Sequence, residues 1–153
     1  MPWSSRVPDT IDALVDTFKT SPEFEGVTVW DGPELSKANP LEMLTIGFTG
    51  DDNDSDVETT TLAEGLASSP NRETFTVRCA AAVLNGKADV RAARRRAYEL
   101  LSGAGAVLAR DPHLGHTVLR ARLGAHTFKQ AQTDRGAQAI VVFGIDVDAY
   151  TGR

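Results

Sequence analysis

Apolar residues near the start of the chain recur with the spacing of one helical face: Ile11, Leu14, Val15 and Phe18. Asp9 follows Pro8 and is expected to cap the first turn of this helix. Ser21-Pro22 is expected to end it, since a residue before proline disfavours helical geometry. The apolar face could dock a partner, but we expect it to cover the protein's own sheet.

Alternation with a period of two then predicts several strands. The expected strands span residues 27–30, 42–49, 72–85, 118–123 and 138–150, with a further stretch, 128–132, that continues or pairs with 118–123. The last strand is apolar on both faces in its first half, so we expect it to be central in a sheet. Asp134-Arg135-Gly136 is a turn signal, with glycine available for a positive φ.

A second, longer helix is expected between the strands, with Asp89 as its N-cap and Asp111-Pro112 at its end. Its apolar stripe comprises Val90, Ala93, Ala97, Leu100, Leu101, Ala104, Val107 and Leu108. Gly103 and Gly105 lie inside it, where glycine costs about 1 kcal/mol relative to alanine. These glycines predict either very close packing or a kink.

The predicted order is α–β–β–loop–β–α–β–β–β, with strands arranged in hairpin-like pairs and few helices. This order predicts an α+β fold with a mostly antiparallel sheet and two helices on one face. The length of 153 residues suits a single domain over residues 1–153.

Charge is distributed unevenly along the chain. The net charge is −5, but residues 1–76 hold 4 basic and 15 acidic side chains, a net −11, whereas residues 77–153 hold 12 basic and 6 acidic, a net +6. The acidic half includes the segment 50–70, which we expect to be an extended acidic loop or arm, because dense like charges resist burial.

Motifs for catalysis or cofactor binding are weak. Cys79 is the single cysteine, which leaves neither a disulfide framework nor a cysteine-based zinc site. The aspartates at 51–56 lack the glycine and glutamate that an EF-hand loop needs, and His113-x-x-His116 lacks a clear third ligand. Gly103-Ala104-Gly105 is not preceded by a strand, as a dinucleotide-binding motif requires. We expect no catalytic, cofactor or metal site, and no enzymatic activity.

Neither a secretory signal nor a membrane-spanning run is apparent, so we expect synthesis in the cytoplasm and no membrane partner. Arginines in the basic half could contact nucleic acid, a complementary protein surface or only solvent. The net acidity and the lack of an aromatic stacking platform argue against nucleic-acid binding, and we expect no sequence-specific binding. The expected contact between copies joins two charged sets: Asp51, Asp52, Asp54 and Asp56 with Arg94, Arg95, Arg120 and Arg122.

The organisation of the chain resembles a known family. The resemblance lies in the capped first helix, Val-Trp-Asp-Gly-Pro at 29–33, Gly-Phe-Thr-Gly-Asp-Asp at 47–52, the Ala- and Arg-rich helix ending in Asp-Pro-His-Leu-Gly at 111–115, and Gln-Thr-Asp-Arg-Gly-Ala at 132–137. In this order they are similar to tail terminator proteins, the neck and tail-completion proteins of long-tailed bacteriophages.

The resemblance implies a structural virion protein, made in the host cytoplasm, that forms a homohexameric ring capping the tail tube. Its implied partners are copies of itself, the tail tube protein and a head-completion or connector protein. Two alternatives stay open: another head–tail connector or head-completion protein, and a small soluble binding module or enzyme of unknown chemistry.

Overall fold

The computed structural model describes residues 4–33, 40–50, 55–62 and 71–151. Its elements, in chain order, are α1 (Val7–Thr20), a short 3-10 helix (Pro22–Phe24), β1 (Thr28–Asp31), β2 (Glu42–Ile46), β3 (Val57–Leu62), β4 (Arg72–Asn85), α2 (Val90–Arg110), β5 (Arg120–Thr133) and β6 (Gly136–Tyr150). The predicted α+β class is confirmed.

The six strands form one sheet in which only β1 and β2 run parallel. The main order is β1-β2-β4-β6-β5. One side of β4 pairs with β6. The other side of β4 pairs with β3 through residues 72–77 and with β2 through residues 79–83. The central position of β6, predicted from its two apolar faces, is confirmed because β6 lies between β4 and β5.

The hydrophobic core lies on one face of this sheet. Alternate residues of β4 and β6 pair across the strands there, so that Val77 faces Ile145 and Cys79 faces Phe143, all of them buried. The helix α2 packs on β4, β5 and β6, and α1 packs on β1 and β2. Both helices therefore cover the same face, and α1 covers the protein's own sheet as expected.

The two glycines in α2 serve close packing, and the helix continues through them to Arg110. A Cβ atom at Gly103 would lie 3.2 Å from the Cβ of Glu23, and one at Gly105 would lie 3.0 Å from the Cδ1 of Leu123. The predicted N-cap is confirmed, since the Asp89 carboxylate accepts a hydrogen bond from the backbone N–H of Ala92 at 3.0 Å. None of the helices in the described residues is long and apolar enough to cross a membrane.

The predicted cap of α1 is wrong. The helix begins at Val7, so Asp9 lies inside its first turn, where it pairs with the Arg6 guanidinium at 3.2 Å. The start of α1 is held instead by Glu73 of β4, whose carboxylate accepts hydrogen bonds from the Ser5 hydroxyl at 2.6 Å and the Arg6 backbone N–H at 2.8 Å. A side chain 67 positions away thus replaces the local cap.

The predicted loop or arm at 50–70 is corrected at residues 57–62, which form the strand β3. The prediction rested on charge density, but Val57 and three threonines are β-branched residues that suit a strand, and their backbone pairs with β4. Residues 51–54 and 63–70 of the segment lie outside the described residues. The stretches predicted at 118–123 and 128–132 form one strand, β5, with a register shift between Leu123 and His126.

Candidate functional site

A groove of about 560 Å³ lies on the sheet face opposite the helices. Because side chains alternate along each strand, polar residues of four neighbouring strands point to this face. We call it the charged groove, and its polar lining is Glu58 and Thr60 of β3, Arg72, Thr74 and Thr76 of β4, Arg120 and Arg122 of β5, and Asp146 and Asp148 of β6.

The sheet register arranges these side chains in two rows across the strands. In one row Arg122 pairs with Asp146, Asp146 with Thr76, and Thr76 with Glu58. In the second row Arg120 pairs with Asp148, which in turn pairs with Thr74. Each row thus begins with an arginine on β5 and places a carboxylate next to it on β6.

Donors on β4 hold both carboxylates of β6. The Arg72 guanidinium binds Asp148 through two hydrogen bonds, with 2.8 Å between Nε and Oδ1, and the second from Nη2 to Oδ2. This bonding keeps the pKa of the Asp148 carboxyl below its usual range, against the opposing effect of partial burial. The Thr76 hydroxyl donates to Asp146 Oδ1 at 2.7 Å. Both carboxylates of β6 are therefore bonded to side chains of the neighbouring strand β4, on the side away from β5.

The arginines of β5 remain available for an outside partner. Arg120 and Arg122 are both exposed, and neither makes a side-chain hydrogen bond or ion pair with any residue in the described ranges. A guanidinium group offers five donors in a planar fork that suits carboxylates and phosphates. The groove can therefore bind an acidic protein segment or another anion along its β5 side.

Two strand glycines leave space for the Thr76–Asp146 hydrogen bond. A Cβ atom at Gly124 would lie 2.6 Å from Asp146 Oδ2, and one at Gly144 would lie 2.6 Å from Thr76 Cγ2. Glycine inside a strand pattern often marks a bulge or a close approach, and Gly124 does lie at the register shift of β5. The two glycines are visible in the sequence, but they were not among the residues predicted to form a site.

The sequence-predicted contact residues do not share one surface. Arg94 and Arg95 belong to α2 on the covered side of the sheet, where Arg94 Nη1 donates to Gln130 Oε1 at 3.3 Å and Arg95 is exposed. Arg120 and Arg122 face the opposite side, in the charged groove. The four arginines therefore form two separate basic regions.

Of the predicted acidic residues, Asp56 lies just before β3, is exposed and accepts a hydrogen bond at its backbone carbonyl from the Arg78 N–H at 2.9 Å. Asp51, Asp52 and Asp54 lie outside the described residues. Sequence reasoning missed Glu58, Arg72, Asp146 and Asp148 as parts of the site. Alternation along β6 places Asp146 and Asp148 on the face away from the core, but their neighbours depend on the register.

Other chemistry-bearing side chains serve the fold. His113 shares a hydrogen bond of 2.8 Å between Nδ1 and the Leu119 carbonyl, and the Asp111 carboxylate accepts from the Gly115 N–H at 3.1 Å. No group of three or more histidine, cysteine, aspartate or glutamate residues within the described ranges is placed to hold a metal ion. Burial raises the pKa of the Cys79 thiol to about 12, which opposes formation of the thiolate.

The chain matches no protein-family model and no curated protein sequence.

Proposed function

We propose that this protein is a structural virion component, a tail terminator that forms a ring, caps the tail tube of a long-tailed phage and joins it to the head and neck. The resemblance over nearly the whole chain suggests the class and a six-membered ring. The α+β architecture agrees with what that resemblance implies.

The observation that carries the proposal is the charged groove on the uncovered face of the sheet. Its Arg120 and Arg122 have no partner in the described part of the chain, whereas the neighbouring Asp146 and Asp148 are held by β4. Such exposed cations suit an interface with a large acidic partner, since charge complementarity steers association and fixes register. The partners we propose are other copies of the chain, the tail tube protein and a connector or head-completion protein.

A small-ligand module is the second candidate, and the volume of the groove favours it. About 560 Å³ lies within the range of roughly 300–1,000 Å³ typical of ligand pockets. However, ligand pockets are usually lined by apolar and aromatic side chains, while most of the groove-lining residues are charged or hydroxyl-bearing. We therefore favour a structural role over a small-ligand module.

Native mass spectrometry of the purified chain tests the proposal. We expect a discrete ring-sized oligomer, either at once or as concentration rises, and negative-stain images that show an annular particle. A strict monomer that binds a small ligand tightly would overturn the structural role. The gene neighbourhood provides an independent check, because a tail terminator gene should lie directly upstream of a major tail protein gene.

A further inference from the structure

The first helix presents two acidic side chains to solvent, Asp12 and Asp16, which we call the acidic stripe. Both are exposed and lie one turn apart, on the side of α1 away from its buried Leu14, Val15 and Phe18. Neither carboxylate makes a hydrogen bond or an ion pair with any residue in the described ranges. Because residues four positions apart are neighbours on a helix surface, their Cβ atoms are separated by about 5–6 Å. The acidic stripe is therefore a compact anionic surface without a partner in the described part of the chain.

The arginines of the charged groove match the acidic stripe in charge and in spacing. Arg120 and Arg122 are two positions apart on one face of β5, which separates their Cα atoms by about 6.5–7 Å. The strand also contains Lys129 and has no acidic residue. The nearby carboxylates of Asp146 and Asp148 are bonded to β4. Each of the two guanidinium groups can therefore bind one carboxylate of an acidic stripe.

The two surfaces lie on opposite faces and at opposite ends of the sheet. The helix α1 packs on β1 and β2, on the covered face, whereas β5 is at the far end of the strand order and turns its arginines to the uncovered face. One molecule therefore cannot bring the two surfaces together. Two copies can overlap instead, with the uncovered face at the β5 end of one copy lying against α1 of the next. This contact joins faces rather than strand edges, so β1 does not obstruct it.

An overlap of this kind is heterologous, because the two copies contribute different surfaces. After two copies have joined, one acidic stripe and one pair of groove arginines remain free, so further copies add in the same direction until the series closes. A competing basic surface, Arg91 and Arg95, is exposed on α2 and lies on the same face as α1. Binding of the acidic stripe to α2 could be satisfied in both directions about one two-fold axis, which would end assembly at two copies. The charged groove is therefore the basic surface that suits a ring.

We infer that the acidic stripe on α1 of one copy binds Arg120 and Arg122 in the charged groove of the next copy. The inference rests on the proposed ring and specifies which surfaces join its subunits. It keeps two of the arginines expected from the sequence and proposes α1, in place of the aspartates at 51–56, as their partner.

Charge reversal on each surface tests this contact. The stripe variant carries Asp12→Arg and Asp16→Arg, and the groove variant carries Arg120→Glu and Arg122→Glu. Either variant alone sets like charges against each other, so we expect the concentration at half-assembly to rise by at least about tenfold. An equal mixture of the two variants should assemble again with even numbers of copies, because alternating copies restore opposite charges at every contact. Native mass spectrometry measures the assembly, and circular dichroism confirms that each variant is folded.

The matched control carries Arg91→Glu and Arg95→Glu, which reverse two exposed arginines of α2, and should assemble like the unaltered protein. If the unaltered protein forms rings but the stripe and groove variants behave like the control, the inferred contact is wrong and the proposed function stands. The same holds if the mixture of variants does not assemble, or if only the control loses assembly. If the unaltered protein stays monomeric at every concentration, both the contact and the proposed function are overturned.

Discussion

Replacing Glu73 tests how the sheet holds the first helix. The Glu73 side chain is completely buried, and both of its carboxylate oxygens accept hydrogen bonds at the start of α1, from the Ser5 hydroxyl and the Arg6 N–H. The same Ser5 oxygen also accepts from the Val7 N–H at 3.1 Å, so one carboxylate organises three consecutive residues.

The expected loss of stability follows from these two bonds. Hydrogen bonds to charged groups contribute about 1.5–3 kcal/mol each, and a buried donor left without a partner adds to the loss. Glu73→Ala should therefore lower the free energy of unfolding by about 3–5 kcal/mol. Glu73→Gln keeps the volume and one carbonyl acceptor, so it should cost about 1–2 kcal/mol.

Urea unfolding monitored by circular dichroism measures both effects, with Glu25→Gln as the control. Glu25 is an exposed glutamate, and substitution there should change stability by less than about 0.5 kcal/mol. Hydrogen exchange of α1 amides should accelerate in Glu73→Ala more than exchange in α2. If Glu73→Ala unfolds at the same urea concentration as Glu25→Gln, with α1 still protected, the assigned anchoring role is refuted.

Three further predictions concern acid stability, thiol reactivity and one turn. Hydrogen bonding from Arg110 lowers the pKa of Glu23 from 4.5 to about 2, so its contribution to stability, present at neutral pH, should decline as pH falls from about 4.5 toward 2. In Glu23→Gln, urea unfolding should show less pH dependence in that window. The Cys79 thiol should react with Ellman's reagent only after unfolding, and prompt reaction in the native protein would contradict its burial. Gly136 has a φ of 132°, and an added Cβ would lie 2.1 Å from the Asn85 carbonyl oxygen. Gly136→Ala should therefore lose at least about 1–3 kcal/mol in urea unfolding, and wild-type stability would refute that reasoning.

The local pattern of apolar residues was sufficient to predict the long helices and strands. It was not sufficient for elements that depend on contacts with residues distant in sequence. The alternation of Val141, Phe143 and Ile145 predicted a buried strand because burial of one sheet face requires that period. The strand β3 offered no apolar alternation, since its threonines and Glu58 form a strand through pairing with β4. The start of α1 was misassigned because its partner, Glu73, lies on a different element.

The candidate site was predictable only in part for a related reason. Alternation placed Arg120 and Arg122 together on one face of a strand, and the structure places both in the charged groove. Their separation from Arg94 and Arg95 follows from the packing of α2 on the buried face of the sheet, opposite the face that carries Arg120 and Arg122. The bonds from Arg72 to Asp148 and from Thr76 to Asp146 depend on strand register, a property of the folded sheet.

The most direct test of the proposed ring is the mass of the assembled protein in native mass spectrometry, measured over a range of protein and salt concentrations. We predict a discrete oligomer, with six copies of the chain as the resemblance implies, that weakens at high salt because exposed charges are screened. A chain that remains monomeric at every concentration and ionic strength would contradict the proposal of a ring-forming structural protein.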